Sequence, residues 1–286
     1  MTFPRITFVL TLASALLGAP AVFGASAAPA PAAAFTLDPP RVVQGSFIVV
    51  RVPGEYGKGT ASAMGMDLPM FREDYGLACL VPVPLTTEPG RKRLRIQLKG
   101  RELKGYIRVG RRPAIKAQKL RKLVVTADGA VSLNKGKATF RRCFARYSST
   151  AFWDGAPRRP TLGPVTAEFG TPRSYGGGAG WPHRGVDFGM ESGWPVIACE
   201  PGTVVLARGM GEYVNVVLVD HGRAVFSSYL HLKSIDVKPG DFVGKGQVLG
   251  TVGATGLALG AHLHFGIYVS GVSVDPMEFL ERGFQR

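Results

Sequence analysis

All five histidines of the 286-residue chain lie in its second half: His183, His221, His231, His262 and His264. Random scatter would seldom do this, so the histidines are expected to share a site. Two of the spacings could do chemistry. In HRGVD, His183 and Asp187 stand four residues apart, which puts both on one face of an extended segment, where they could meet one cation. In AHLHFGIYV, His262, His264, Gly266 and Tyr268 alternate with Leu263, Phe265, Ile267 and Val269. That period of two marks a half-buried strand. Its two imidazoles are about 7 Å apart at the backbone, at a rise of ~3.3 Å per residue. Two imidazoles and one carboxylate suit zinc, which takes N and O ligands in a tetrahedron and, in catalytic sites, keeps one position for water. That set leaves over one histidine of the His-Leu-His pair, and also His231 in SSYLHLKS. A surplus imidazole beside a metal suits a general base or a stabiliser of a developing oxyanion.

The elements that must position these groups read as strands. From residue 161 to 286, runs such as GTVVLARG, YVNVVLVDHG, AVFSSYLHL and FVGKGQVLGTVG are bounded by Gly, Pro or Asp, with only a short helical turn at DPMEFLERG. This half is expected to be an all-β domain. Residues 35–112 carry several short strands at about ten-residue spacing and read as a β-sandwich-like module with no catalytic spacing. Residues 113–160 read as a basic connector with a short helix around Ala114–Leu123. It is long for a structureless loop and is therefore expected to pack on one or both domains. Residues 28–34, APAPAAA, form an Ala/Pro linker. Residues 1–27 read as a secretory signal peptide, with Arg5 ahead of a mildly apolar run and a small-x-small site at Ala25–Ala27. An uncleaved anchor is the alternative, disfavoured by Pro20 and the small-residue content.

The net charge of +15 is unevenly spread. Residues 161–286 hold 9 basic and 11 acidic side chains, leaving 26 basic and 9 acidic in residues 1–160. For an exported chain the expected polyanion is an anionic cell envelope, with a solvated basic surface as the plainer reading. Nucleic acid is not an expected partner, because no aromatic-plus-basic strand motif accompanies the charge. The three cysteines, Cys79, Cys143 and Cys199, are too few and too far apart for a disulfide framework or a metal site. A Cys79–Cys143 bridge stays open.

In order along about eighty residues, H-x-x-x-D, Y-x-H-L and H-x-H-F-G resemble the lysostaphin-type (LytM-like) zinc metalloendopeptidases. The intervening GWPVIACEPGTVV, VDHG and VKPGDFVGKGQVLGTVGATG resemble that family's core as well, so that the likeness runs over roughly residues 161–278. The resemblance implies a LytM-type β-sheet metallopeptidase domain with His183, Asp187 and His264 as zinc ligands. It implies His231 and His262 as catalytic histidines outside the ligand set. His221 is then a turn residue away from the metal, and Tyr229 a packing residue. It further implies peptidoglycan as substrate, an exported enzyme in the periplasm or cell wall, membrane contact only through the signal peptide, and a monomer.

Three other readings compete. A non-catalytic wall-binding or regulatory protein on the same fold would not need the full ligand set. A biotin- or lipoate-type carrier is suggested by VKPGDFVGKGQVLGTV, but Lys245 is not placed at a hairpin tip. A nucleic-acid binder driven by the basic half is the weakest. The glycine-rich RSYGGGAGWP, with Tyr175 and Trp181, is expected to form a rim of the groove, and the 113–160 connector, including Asn134, is a candidate to cover the metal.

Overall fold

The computed structural model describes residues 34–54, 56–120, 127–153, 155–175, 182–209, 214–256, 258 and 260–284. The expected signal peptide and residues 28–33 of the expected linker lie outside them. Residues 34–286 form one compact unit. The fold is all-β, with two helices among the described residues.

Residues 36–110 make two sheets, antiparallel except where Val42–Val43 pairs in parallel with Arg101–Gly110, that enclose one apolar core. A four-stranded sheet runs in the order Thr36–Asp38, Phe47–Pro53, Gly76–Pro82, Phe71–Glu73. A five-stranded sheet runs Val42–Val43, Arg101–Gly110, Gly90–Leu98, Gly59–Ala63, Met66–Pro69. Alternation along Gly90–Leu98 sends Leu94, Ile96 and Leu98 inward and Arg91, Arg93 and Arg95 outward. The inward side chains meet Ile48, Val50, Leu77 and Val81 of the facing sheet.

The second half is built on an eight-stranded sheet. Its path is Val165–Ala167, Val186–Gly189, His262–Val269, Val225–Leu230, Asn215–Gly222, Gly202–Gly209 and Phe242–Val243, with Val272–Val274 also pairing on the His262–Val269 strand. A three-stranded sheet of Pro195–Ile197, Val248–Val252 and Leu232–Ile235 contributes to the same core. The His262–Val269 strand has the predicted alternation: Leu263, Phe265, Ile267 and Val269 are fully buried.

The two halves share that core. Phe47, Val49 and Leu80 of the first half join Trp153 of the connector and Phe279 and Phe284 of the second half, with Phe47 and Phe284 rings 5.0 Å apart. Polar contacts flank the joint. Arg282 donates to the Phe47 carbonyl at 2.6 Å, Ser46 Oγ donates to Glu278 at 2.7 Å, and Arg112 pairs with Asp275. Asp275 also caps the Pro276–Arg282 helix, accepting from the Met277 amide at 2.9 Å, with Pro276 in the first helical turn.

The connector differs from its expectation. The part of the expected Ala114–Leu123 helix that is described, residues 114–120, is not helical: residues 111–117 are irregular, and Gln118–Leu120 is a short strand paired in parallel with Arg173–Tyr175. A ten-residue helix with four basic side chains is marginal by itself, and extended pairing satisfies the backbone instead. The helix forms later, at Ala127–Phe144. Its C-terminal side chains Phe140, Cys143 and Phe144 cover the outer face of the large sheet against Leu206, Val216, Leu218 and Phe226. The Phe144 ring lies 5.0 Å from Phe226 and 4.9 Å from Tyr268. The helix contains Gly129 and Gly136, poor helix formers, so packing rather than propensity sustains it. Cys79, Cys143 and Cys199 are all free thiols.

Candidate metal centre

Strand register builds the site. Asp187 on Val186–Gly189 is directly opposite His264 on His262–Val269, and Gly189 is opposite His262. His264 is in turn opposite Leu230, so the next residue, His231, reaches the same end of the sheet. His231 takes the left-handed backbone, φ 68°, which turns the chain out of one strand and into Leu232–Ile235. His183 is tied to the loop before Arg173 by backbone hydrogen bonds with Gly170 and Thr171.

The structure brings all five sequence-predicted residues together. His183 Nε2, Asp187 Oδ1 and His264 Nδ1 lie 2.8–3.0 Å from one another. His183 and Asp187 are buried. His183 Nδ1 lies 3.0 Å from the Glu168 carbonyl, to which it donates, so Nε2 points inward with its lone pair. Three electron-rich atoms thus converge, an arrangement that a shared cation satisfies. The group meets the requirements of a metal-holding cluster: one N or O donor from each of His183, Asp187 and His264, all within 4.8 Å. Gly185 makes room for it, since a Cβ there would lie 2.6 Å from the His264 ring and 2.5 Å from the Phe265 carbonyl.

His262 and His231 flank the cluster with ring centroids 4.6 Å apart. His262 Nδ1 donates to the Gly260 carbonyl at 2.9 Å, and His231 Nδ1 to the Thr255 carbonyl at 2.6 Å. Both imidazoles therefore present Nε2 as the free nitrogen. His262 Nε2 is 4.0 Å from Asp187 Oδ1. Burial, with the neighbouring His264 and His262, pushes the His231 pKa down to about 3, so this ring is a neutral acceptor. Burial likewise lowers His264, against the pull of Asp187. Burial would raise the Asp187 carboxyl, but the adjoining His183 and His264 outweigh it and hold the carboxyl well below the usual range.

Besides Gly185, one site residue was not singled out from sequence. Arg173 donates to Asp187 Oδ2, the oxygen turned away from the histidines. Its signal, one arginine in a glycine-rich stretch, has no spacing that ties it to a metal site. His221 differs from its expectation. It is not a turn residue but the buried end of the Asn215–Gly222 strand, 1 % exposed. Its Nδ1 donates to the Pro201 carbonyl at 2.8 Å, and its Nε2 lies 2.7 Å from Ser227 Oγ. Ser227 Oγ is 3.0 Å from the Tyr229 hydroxyl, which accepts from the Cys199 amide at 2.9 Å. Tyr229 is fully buried against Phe265. Lys245 pairs with the buried Glu200 at 3.0 Å and donates to the Ala156 carbonyl, contacts unlike those of an exposed attachment lysine. Trp181, and the side chains of Tyr175 and Asn134, lie outside the described residues.

Comparison with known proteins agrees with this geometry. Residues 181–276 match peptidase family M23. The peptidoglycan DD-endopeptidase ShyA of Vibrio cholerae is 36% identical over 149 residues, 51% of this chain and 32% of its own length. A crystal structure assigned to peptidase M23 from Pseudomonas aeruginosa has 29% identity and TM-score 0.66, covering 85% of this chain and 96% of that one. The catalytic domain of lysostaphin from Staphylococcus simulans is 34% identical, covering 41% of this chain and 92% of its own, with TM-score 0.37. The chain spans about a third or less of the length of the first curated relatives it matches. All five predicted site residues lie inside the matched segment, so residues 181–276 form a peptidase family M23 domain.

Proposed function

We propose that the protein is an exported zinc metalloendopeptidase that hydrolyses peptide bonds in the stem or cross-link peptides of peptidoglycan. The observation that carries this reading is the convergence of His183 Nε2, Asp187 Oδ1 and His264 Nδ1, flanked by two imidazoles whose Nε2 atoms are free. Two neutral nitrogens and one carboxylate oxygen, with no thiolate, fit zinc with a position left over for water. A zinc ion held there would supply a Lewis acid that activates water and polarises a carbonyl. The chain's own residues supply the proton handling. His262 Nε2 is placed to accept a proton at the mouth of the cluster and to return it to a leaving amine. His231 Nε2, in a neutral ring beside it, is placed to orient the substrate carbonyl or share that proton. The Thr255 and Gly260 carbonyls fix both tautomers.

The substrate class follows from kinship with proteins such as ShyA, named a peptidoglycan DD-endopeptidase. Export to the periplasm or cell wall follows from where that polymer lies and from the leader-like first 27 residues. No described helix is long and apolar enough to cross a membrane. The test is release of soluble muropeptides from purified peptidoglycan by the full chain, with and without chelator, beside His262→Ala. Release that chelation abolishes, that added zinc restores and that the variant loses by about 100-fold or more supports the reading. Release unaffected by chelation overturns it.

A further inference from the structure

The outward face of the five-stranded sheet in the first half carries a pattern that folding alone does not favour. On Gly90–Leu98 the outward residues include Arg91, Arg93 and Arg95, and on Arg101–Gly110 they include Lys104, Tyr106 and Arg108. The register places Arg91 opposite Arg108, Arg93 opposite Tyr106 and Arg95 opposite Lys104. Like charges directly opposite one another destabilise a strand pair. Among the described residues, no carboxylate forms an ion pair with Arg93, Arg95 or Arg108; Glu102 pairs with Lys104, 2.8 Å apart, and is also drawn by the charge of Arg95. Tyr106 is 48 % exposed on the same face, with the Arg91 guanidinium 4.1 Å from its ring centroid. The rows are rigid: side chains repeat at about 7 Å along each strand and about 5 Å across the pair.

We propose that this face is a docking surface for peptidoglycan itself, separate from the metal site, and holds the polymer through the carboxylates of its stem peptides and its sugar rings. The proposal rests on the function proposed above. Three features favour this partner. Guanidinium forks match carboxylates in a planar, bidentate way. A half-exposed tyrosine flanked by cations offers a flat ring for a pyranose. The face has no apolar wedge to enter a bilayer, since its one large exposed apolar group is Tyr106. Each exposed pair contributes little, and the surface works by summing several along one polymer. The shared core at Phe47, Trp153 and Phe284 makes the first half one body with the catalytic half, so docking there raises the substrate concentration at the metal site.

The experiment is co-sedimentation of the full chain with insoluble peptidoglycan at low and high salt, beside an Arg91→Gln, Arg93→Gln, Arg95→Gln, Arg108→Gln variant. His264→Ala is included in both backgrounds so that hydrolysis does not dissolve the matrix. The His264→Ala chain is expected to sediment at low salt and be released at high salt. With His264→Ala the fourfold variant is expected to bind about tenfold more weakly or worse, and with His264 intact the fourfold variant is expected to hydrolyse a small soluble muropeptide at the unmodified rate. Removing opposed like charges is not expected to unfold the sheet, and a far-ultraviolet spectrum checks that. Equal binding by the variant overturns the proposal. So does capture of the unmodified chain by phosphatidylglycerol vesicles or by nucleic acid but not by peptidoglycan. Binding without any hydrolysis by the unmodified chain would leave this surface in place and refute the enzymatic reading alone.

Discussion

At the scale of single residues, the site depends on which atom of each side chain is left free. Glu168, Thr255 and Gly260 carbonyls each take one imidazole N–H and so decide which nitrogen faces the cluster. Arg173 does the same for Asp187 by engaging Oδ2 and leaving Oδ1 to the histidines. Groups that orient metal ligands typically contribute 10–100-fold to affinity. Arg173→Ala is therefore expected to raise the zinc dissociation constant about 10–100-fold, read by chelator competition, with Arg173→Lys recovering part of the loss. Equal affinity in all three proteins would show that Arg173 does not position the ligand. Gly185→Ala belongs here too. A methyl group 2.6 Å from the His264 ring must displace that ring or the strand, and loss of metal with little change in overall fold is the expected result. His183, Asp187 and the His262/His264 pair were legible from type and spacing, since period 2 and i, i+4 dictate faces, whereas the choice of His264 over His262 for the cluster rested on the family resemblance. Arg173 and Gly185 were not, because their roles come from contacts across strands that a linear pattern does not encode.

At the scale of elements, the strand His262–Val269 follows directly from its sequence, and the helix Ala127–Phe144 does not. The strand carries its own amphipathic period. The helix borrows its stability from Phe140 and Phe144 lying on an outer sheet face that is apolar only once the sheet is assembled. His221 was misjudged for the same reason: VDHG looks like a turn, and only the folded sheet shows the imidazole sealed between Pro201 and Ser227. That burial has a pH consequence. The folded pKa is pushed down to about 4, below the unfolded value of ~6.5. Between those values the unfolded chain binds a proton that the native chain excludes, so this histidine lowers stability as pH falls from ~6.5 towards 4. The loss is roughly 3 kcal/mol. Replacing His221 with Gln should flatten that part of a denaturant-unfolding pH profile, and an unchanged slope would contradict the assignment. The Pro276–Arg282 helix makes a second check. Asp275→Ala removes both the cap on Met277 and the partner of Arg112, and is expected to cost about 2 kcal/mol in chemical unfolding.

At the scale of the whole molecule, a strand-rich first half, a basic connector and a second half holding every histidine are visible in charge and turn spacing. The joint between halves is not. It is made by Phe47, Leu80, Trp153 and Phe284, which are far apart in sequence and carry no pairing signal. Because that joint is apolar and shared, the two halves are expected to unfold in one calorimetric transition, with calorimetric and van't Hoff enthalpies in agreement. Two resolved transitions would mean that the shared core does not couple them.

The central claim is that His183, Asp187 and His264 hold one catalytic zinc. The most direct test is metal content by mass spectrometry on the purified full chain beside His264→Ala and Asp187→Asn. About one zinc per chain, falling below about a tenth of that in both variants, is the predicted result. Zinc retained at full occupancy by both variants, or absent from the unmodified chain after incubation with the metal, would contradict the account.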